Sequence, residues 1–194
     1  MTKNKFANAI SAIGHPLLTA PLVVAFLIFK TESTQNALIV LGLVVLGVIL
    51  PVIVKILRQL KKGQITNFDV SDRVERKSFY RFLIPILFLV NLGLYLTDQS
   101  FQTLLSFGLA TLLLVSLQLV NLFVKASIHV SVNIYLAYLL FEINPYVAIA
   151  FGLFITLIAW SRLVLKRHQP IEVVIGFFLG NIFGILFLLI YHLN

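Results

Sequence analysis

The sequence predicts an all-α protein, a polytopic integral membrane helix bundle with about six or seven transmembrane helices. Of its 194 residues, 60% are hydrophobic and only 11% are charged, a composition far from that of soluble globular domains. Apolar runs close to the roughly 20 residues that cross a bilayer as a helix recur along the chain. No alternation of polar and apolar residues typical of a membrane barrel appears, so the runs are predicted as helices.

Seven apolar runs are the candidate spans, and the first differs from the rest. It is short and contains Pro16 and Pro21, so we expect it to be kinked, tilted or only partly inserted. Since no internal repeat or linker appears, residues 1–194 are predicted to form a single membrane domain. In chain order the runs are His15–Phe29, Ala37–Ile56, Phe82–Thr97, Phe101–Val124, Val130–Ile143, Tyr146–Leu163 and Val173–Tyr191.

The positive charges are unevenly divided between the two sides of the predicted bundle. If every run crosses, the N-terminus and the connections after the second, fourth and sixth runs share one side, which receives all of the 15 Lys and Arg residues except Lys30. The positive-inside rule therefore predicts that this side is cytoplasmic, in a protein of the plasma (inner) membrane. A basic segment such as Lys55–Lys62 is expected mainly to orient the protein and contact anionic lipid.

Three connections on the basic side also contain side chains that are costly beside a bilayer, which makes them candidates for a functional site. Arg73 and Arg76 are three residues apart, so a helix would place them on one face, where arginine can grip two phosphate oxygens. Ser127 and His129 stand at the entrance of the fifth run, where helix amides favour an anion. Ser127 equally fits a simple helix cap.

The last polar connection combines a histidine with an acid. Pro170 suits the first turn of the final helix, which makes Gln169 the predicted cap and Glu172 the third helical residue. Glu172 fits two compatible roles: it complements the helix dipole, and it can bond one nitrogen of His168 and free the other to attack. His15 and His192 have no polar companions nearby in the sequence, unlike His129 and His168.

Together these residues resemble the three-part signature of the type 2 phosphatidic acid phosphatase family, over roughly residues 69–180. The last part matches best. Ser161-Arg162, five residues, His168, three residues and an acid, followed by Gly176, resembles the family's Ser-Arg…His…Asp stretch, with Glu172 in place of Asp.

The middle part of the signature, usually Pro-Ser-Gly-His, corresponds to residues 126–129, Ala-Ser-Ile-His, which keep the serine and histidine. The first part is usually Lys, six residues and Arg-Pro. Arg76 matches its arginine, Asp69 stands at the lysine position and Lys77 at the proline position, so Arg73 is the expected substitute for the missing cation.

The resemblance implies an integral-membrane lipid phosphatase that hydrolyses a lipid phosphate or diphosphate through a phosphohistidine, with no metal or other cofactor. Its phosphatase-like core would span roughly residues 55–194. His168 would be the nucleophile, assisted by Glu172, and His129 the general acid that protonates the leaving lipid alcohol. The phosphoryl oxygens would be held by Arg73, Arg76, Ser127 and Arg162, with Lys77, Asp69, Asp72 and Ser161 as additional candidate residues.

Two other functions stay open on the sequence alone. Asp69 and Asp72 fit an aspartate-motif prenyltransferase, which needs clustered carboxylates to hold magnesium against a diphosphate. A non-catalytic lipid-phosphate binding protein or transporter of the same fold would need the arginines but not both histidines. Ile128 also brings bulk where the family's glycine allows close backbone approach, so the substrate pocket is expected to differ or the activity to be weak. The expected partners are the lipid phosphate substrate and membrane lipids, and not nucleic acid; headgroup, chain and oligomeric state do not follow from the sequence.

Overall fold

The computed structural model describes residues 2–70 and 72–193, and this part of the chain is helical with no β-strand. The predicted all-α class is therefore confirmed. In chain order the helices are α1 (Lys3–Ile13), α2 (Pro16–Thr31), α3 (Thr34–Lys61), α4 (Arg73–Leu96), α5 (Phe101–Val120), α6 (Ile128–Ile143), α7 (Pro145–Val164) and α8 (Pro170–Leu193). Within α3, the stretch Leu43–Ile49 is π-helical and precedes Pro51, whose missing N–H interrupts the regular hydrogen bonds.

The helices have the dimensions of a membrane protein. Within the described residues, α3, α4, α5, α7 and α8 are long and apolar enough to cross a bilayer. The pair α1 and α2 qualifies as one broken span with a bend of 46°, which confirms the kink expected in the first run. The bend lies at Gly14 and His15, because Pro16 has no N–H to continue α1 and instead begins α2. Helix α6 is apolar but shorter, with 16 residues.

Six helices form a ring, and two lie outside it. Around the ring, α2 contacts α3, α3 contacts α4, α4 contacts α5, α5 contacts α8, α8 contacts α6, and α6 returns to α2. Helix α7 packs on the outer side against α6, and α1 packs against α7, with Phe6 and Trp160 in ring contact. The ring surrounds a cavity of about 570 Å³.

The pair α6 and α8 is the most tightly joined part of the ring, because three glycines of α8 at four-residue spacing face α6. A Cβ at Gly176 would lie 2.7 Å from the backbone oxygen of Ser127, and one at Gly180 would lie 2.6 Å from that of Ser131. Gly184 has the same relation to the ring of Tyr138. Only glycine permits this backbone approach, which fixes the start of α6 against the start of α8.

Four connections meet at one end of the bundle, which we call the polar end. They are the break between α1 and α2 and the loops that join α3 to α4, α5 to α6, and α7 to α8. Hydrogen bonds join them directly: the Ser127 amide donates to the Glu172 carbonyl at 3.0 Å, and the Asn133 side-chain amide donates to the Gly14 carbonyl at 3.0 Å. The polar residues singled out in the sequence are therefore brought to a common depth.

Candidate functional site

Two fully buried guanidinium groups form the centre of the polar end. Arg76 of α4 is 1% exposed and Arg162 of α7 is 0% exposed. Arg76 donates to the carbonyls of Val70 (3.0 Å) and Ala126 (2.8 Å), and its Nη2 lies 3.4 Å from Nε2 of His168. All three acceptors are neutral, so this buried cation has no carboxylate in hydrogen-bond contact among them.

Arg162 has a carboxylate partner but retains unused donors. Its Nη1 donates to Asp69 Oδ2 at 2.6 Å and to Ser11 Oγ at 2.5 Å. Within the described residues, Nε and Nη2 of Arg162, Oγ of Ser127 and Nε2 of His129 are buried without a hydrogen-bond partner. Buried polar atoms of this kind are rare, because each costs about 1–3 kcal/mol. Such a set of donors at one end of a bundle is suited to an anion with several oxygens.

His168 is held in one tautomer by two independent contacts. Its Nδ1 lies 2.7 Å from Oε2 of Glu172, and an ionised carboxylate can only accept, so Nδ1 carries the proton. On the other side of the ring, the guanidinium of Arg76 can only donate, so Nε2 is the acceptor. Both contacts leave the lone pair on Nε2, the arrangement required for attack by that nitrogen.

Glu172 makes both of the contacts considered for it in the sequence, one to His168 and one at the start of the last helix. Its Oε2 also accepts from the backbone amide of Gln169 at 3.1 Å, which is the reach of a third-position acid back to the helix cap. The same oxygen lies 3.6 Å from Nζ of Lys125, whose ammonium also donates to the Arg167 carbonyl at 2.9 Å. Lys125 therefore ties the α5–α6 loop to the α7–α8 loop beside His168.

The surroundings of His168 keep its imidazole neutral. Burial lowers its pKa first, and the positive charges of Arg76, Arg162 and Lys125 lower the pKa further, well below its usual range. Burial also lowers the pKa of Lys125, against the opposing effect of Glu172. The neutral imidazole of His168, with its single proton on Nδ1, is thus favoured over the doubly protonated form.

His129 lies beside a second histidine that the sequence reasoning discounted. The rings of His15 and His129 meet edge to face with centroids 4.8 Å apart, and Nε2 of His15 lies 3.6 Å from Oδ1 of Asp69. Asn133 holds them together, since it bonds both the Gly14 carbonyl and the His129 carbonyl. The inference that His15 has no polar companions was wrong, because it considered neighbours in sequence and not across the helix break.

The ligand atoms of His15, Asp69 and His129 all lie within 4.8 Å of one another, close enough that they could hold a metal ion. However, Asp69 already neutralises Arg162. The contacting polar residues around Arg76, Arg162 and His168 form one cluster at the polar end. Within it, the three cations Arg76, Arg162 and Lys125 outnumber the two carboxylates Asp69 and Glu172. A positively charged surrounding opposes a further cation and favours an anion.

Four residues named from the sequence lie outside this cluster. Arg73 donates to the carbonyl oxygens of Asn121 and Leu122 just beyond the end of α5. Its side chain does not share the environment of Arg76, contrary to the expectation from their spacing. Asp72 accepts from the amides of Val74 and Glu75 and caps α4. Lys77 is exposed, and Ser161 is buried with its hydroxyl bonded to the Ile158 carbonyl.

Two local expectations are also revised by the contacts. Ser127 stands at the cap position of α6, but its hydroxyl makes no capping bond, so the simple helix-cap interpretation of its side chain was wrong. Asp69 and Asp72 have separate partners, Arg162 and the first turn of α4. The paired carboxylates that a prenyltransferase would need for magnesium are therefore divided between two other structural tasks.

Comparison with protein families gives a match to the C-terminal part of the chain. The family model described as the PAP2 superfamily matches residues 118–194, a segment that contains Ser127, His129, Arg162, His168 and Glu172. Searches of curated proteins and of solved structures gave no match.

Proposed function

We propose that the protein is an integral-membrane phosphatase acting on a lipid phosphate or diphosphate. The premise is that the chain is a PAP2-type family member, as the match of residues 118–194 to the family model supports. The family is of phosphatase type and the helices are those of a membrane protein, which supports a phosphoester hydrolase in the membrane at a coarse level. The lipid substrate, the mechanism and the residues in it are our proposal.

The observation that supports it most is the pair of buried guanidinium groups beside a neutral histidine. A buried charge is costly unless it is paired, and Arg76 bonds only neutral acceptors. A phosphoryl group would supply the missing negative charge and accept from the unused nitrogens of Arg162. Phosphoryl transfer mainly requires such positioning and positive charge around the transferred oxygens.

In the proposed first step, Nε2 of His168 attacks phosphorus. The N–P bond forms and the P–O bond to the lipid breaks, while His129, protonated in the complex beside the negative phosphoryl group, gives its proton to the leaving lipid oxygen. Glu172 stabilises the imidazole as it becomes positive, through the Nδ1–H bond of 2.7 Å. The guanidinium of Arg76, which lies against Nε2 in the unliganded site, moves onto a phosphoryl oxygen.

In the second step, water attacks the phosphohistidine. His129 takes a proton from this water, the N–P bond breaks, inorganic phosphate leaves and His168 regains its lone pair. The sequence is balanced, because the proton given to the lipid alcohol in the first step is replaced from water in the second. We also propose, from the charge distribution, that the polar end faces the cytoplasm at the plasma membrane.

The test is release of inorganic phosphate by purified protein from phosphatidate, phosphatidylglycerophosphate and prenyl phosphates, with a metal chelator present. We expect turnover that is lost in His168→Ala and retained in the control His192→Ala, which alters an exposed histidine in the last turn of α8. Brief incubation with substrate radiolabelled in its phosphate group should leave acid-labile label on the wild-type protein and none on His168→Ala.

The other outcomes identify the competing functions. Strict dependence of product formation on magnesium would indicate the prenyltransferase. Tight binding of lipid phosphate with no phosphate release, and with the same affinity in His168→Ala, would indicate a binding protein or transporter.

A further inference from the structure

The cavity inside the ring of helices opens directly onto the proposed phosphatase site. At the polar end its wall includes His15, Asp69, Arg76 and His129. Its volume of about 570 Å³ falls within the range of roughly 300–1,000 Å³ found for ligand pockets. A molecule bound here would therefore place one end against the buried arginine and the histidine pair.

Beyond this end, the cavity is lined by hydrocarbon. Val24 and Leu27 of α2, Val48 of α3, Leu113 of α5 and Leu136 of α6 contribute to the wall. Side chains of this type favour an apolar occupant, since each Å² of apolar surface removed from water contributes about 25 cal/mol. Among the described residues that line the middle of the cavity, none offers a charged side chain to a second headgroup.

The opposite end is polar again. Glu32 lies there with Ser100 and Thr103, and both hydroxyls donate to its carboxylate, that of Thr103 at 2.7 Å. From His15 to Glu32 along α2, a rise of 1.5 Å per residue gives a cavity about 25 Å long. A hydrocarbon chain that reached Glu32 would have to displace water from a carboxylate, which is unfavourable.

We propose that this cavity binds one hydrocarbon chain of the lipid phosphate lengthwise inside the bundle, with Glu32, Ser100 and Thr103 limiting the chain length. The inference rests on the proposed function and defines the substrate as a chain of up to about 25 Å attached to a phosphate group. The phosphate lies against Arg76 and His129, which line the polar end of the cavity, and the apolar walls hold the chain.

The first experiment compares chain-bearing and chain-free substrates in cavity variants. Ala110→Trp places an indole in the cavity wall, and the matched control Ala150→Trp places the same group on the exposed face of α7. We expect kcat/KM for a long-chain alkyl phosphate to fall by at least about tenfold in Ala110→Trp, because the indole occupies volume that the chain would fill and two groups cannot share it without strain. Hydrolysis of p-nitrophenyl phosphate should persist in both variants, which shows that the site is intact. Equal loss for both substrates, or no loss for either, would overturn the proposal.

A series of n-alkyl phosphates tests the length limit. We expect kcat/KM to rise with chain length and then to decline once the extended chain exceeds about 25 Å. In Glu32→Leu the decline should move to longer chains, because the polar barrier is replaced by an apolar side chain. A rise that continues beyond this length in the wild-type protein would contradict the assigned end of the cavity.

The second readout does not require catalysis. An alkyl phosphonate with a diazirine at the chain terminus, bound to wild-type protein and illuminated, should label residues near Glu32, Ser100 and Thr103. Labelling confined to the outer face of α7 would refute internal binding. If no phosphate is released from any substrate but this internal labelling is seen, the phosphatase proposal fails while the chain-binding cavity stands.

Discussion

Replacement of Glu172 by glutamine isolates its electrostatic effect on His168 from its role as a helix cap. The native carboxylate bonds Nδ1 of His168 at 2.7 Å and the Gln169 amide at 3.1 Å. Glutamine keeps an oxygen acceptor for the amide, since Glu and Gln are equally used at this capping position. It removes the negative charge next to the ring that becomes positive when Nε2 attacks phosphorus.

The size of the effect follows from Coulomb's law. Unit charges about 4 Å apart interact with about 4 kcal/mol at an effective dielectric constant of 20, and Glu172 is only partly exposed. We therefore expect kcat to fall by about 10²–10³ in Glu172→Gln. KM should change little, because the charge develops only in the transition state.

The assay is steady-state phosphate release from the best lipid substrate at saturating and limiting concentrations, with thermal unfolding as a control for folding. The control is His192→Gln, which removes another histidine–carboxylate contact, the one of 3.1 Å between His192 and Glu142 at the end of the bundle opposite the polar end. This substitution should leave kcat unchanged. The reasoning is refuted if Glu172→Gln turns over at the wild-type rate, or if its whole effect is on KM.

Three further predictions concern pH, stability and the choice of arginine. Burial and nearby cations lower the pKa of His168, so its neutral form should persist below pH 6.5. The acid limb of the pH profile of kcat/KM should therefore lie well below 6.5, and it should move to higher pH in Lys125→Gln because one of those cations is removed. An acid limb at or above pH 6.5 in the wild-type protein would contradict this. Asp69→Asn leaves the Arg162 guanidinium buried without a carboxylate and should lower the free energy of unfolding by about 3 kcal/mol. The measurement is thermal unfolding in detergent, and added orthovanadate should restore part of the lost stability. Unchanged stability would argue against a stabilising ion pair between Asp69 and Arg162. Arg162→Gln should lower kcat/KM by at least about 10²-fold, whereas Arg73→Gln should retain activity. A larger loss in Arg73→Gln than in Arg162→Gln would support the prediction from sequence spacing that Arg73 binds the phosphate.

The helices were predictable because hydrophobic length is decisive in a membrane. The run Phe101–Val124 corresponds to α5, and Val130–Ile143 ends with α6. Pro170 was expected in the first turn of the last helix, and α8 begins there. The ring around a central cavity was not predictable, because apolar residues on a helix are equally suited to lipid and to neighbouring helices.

The site was predictable only where its residues are close in sequence or share a motif. His168 and Glu172 are four residues apart, so a helix start brings them together without knowledge of the fold. The failure at Arg73 has a local cause: the carbonyls just beyond α5 carry the negative end of a helix dipole and attract its guanidinium. His15 was missed because its companions, Asp69 and His129, come from other parts of the chain.

The close packing of α6 on α8 explains how the bundle can hold its unpaired charge. Buried donors such as those of Arg162 would favour rearrangement if the surrounding backbone could move. Gly176 opposes this rearrangement, because its close contact with Ser127 fixes the start of α6 against the start of α8. The carbonyl of Ala126, the residue before Ser127, accepts from Arg76 at 2.8 Å, so the same backbone also positions one of the two buried guanidinium groups. Under the proposed function, this arrangement would place positive charge around the phosphoryl group.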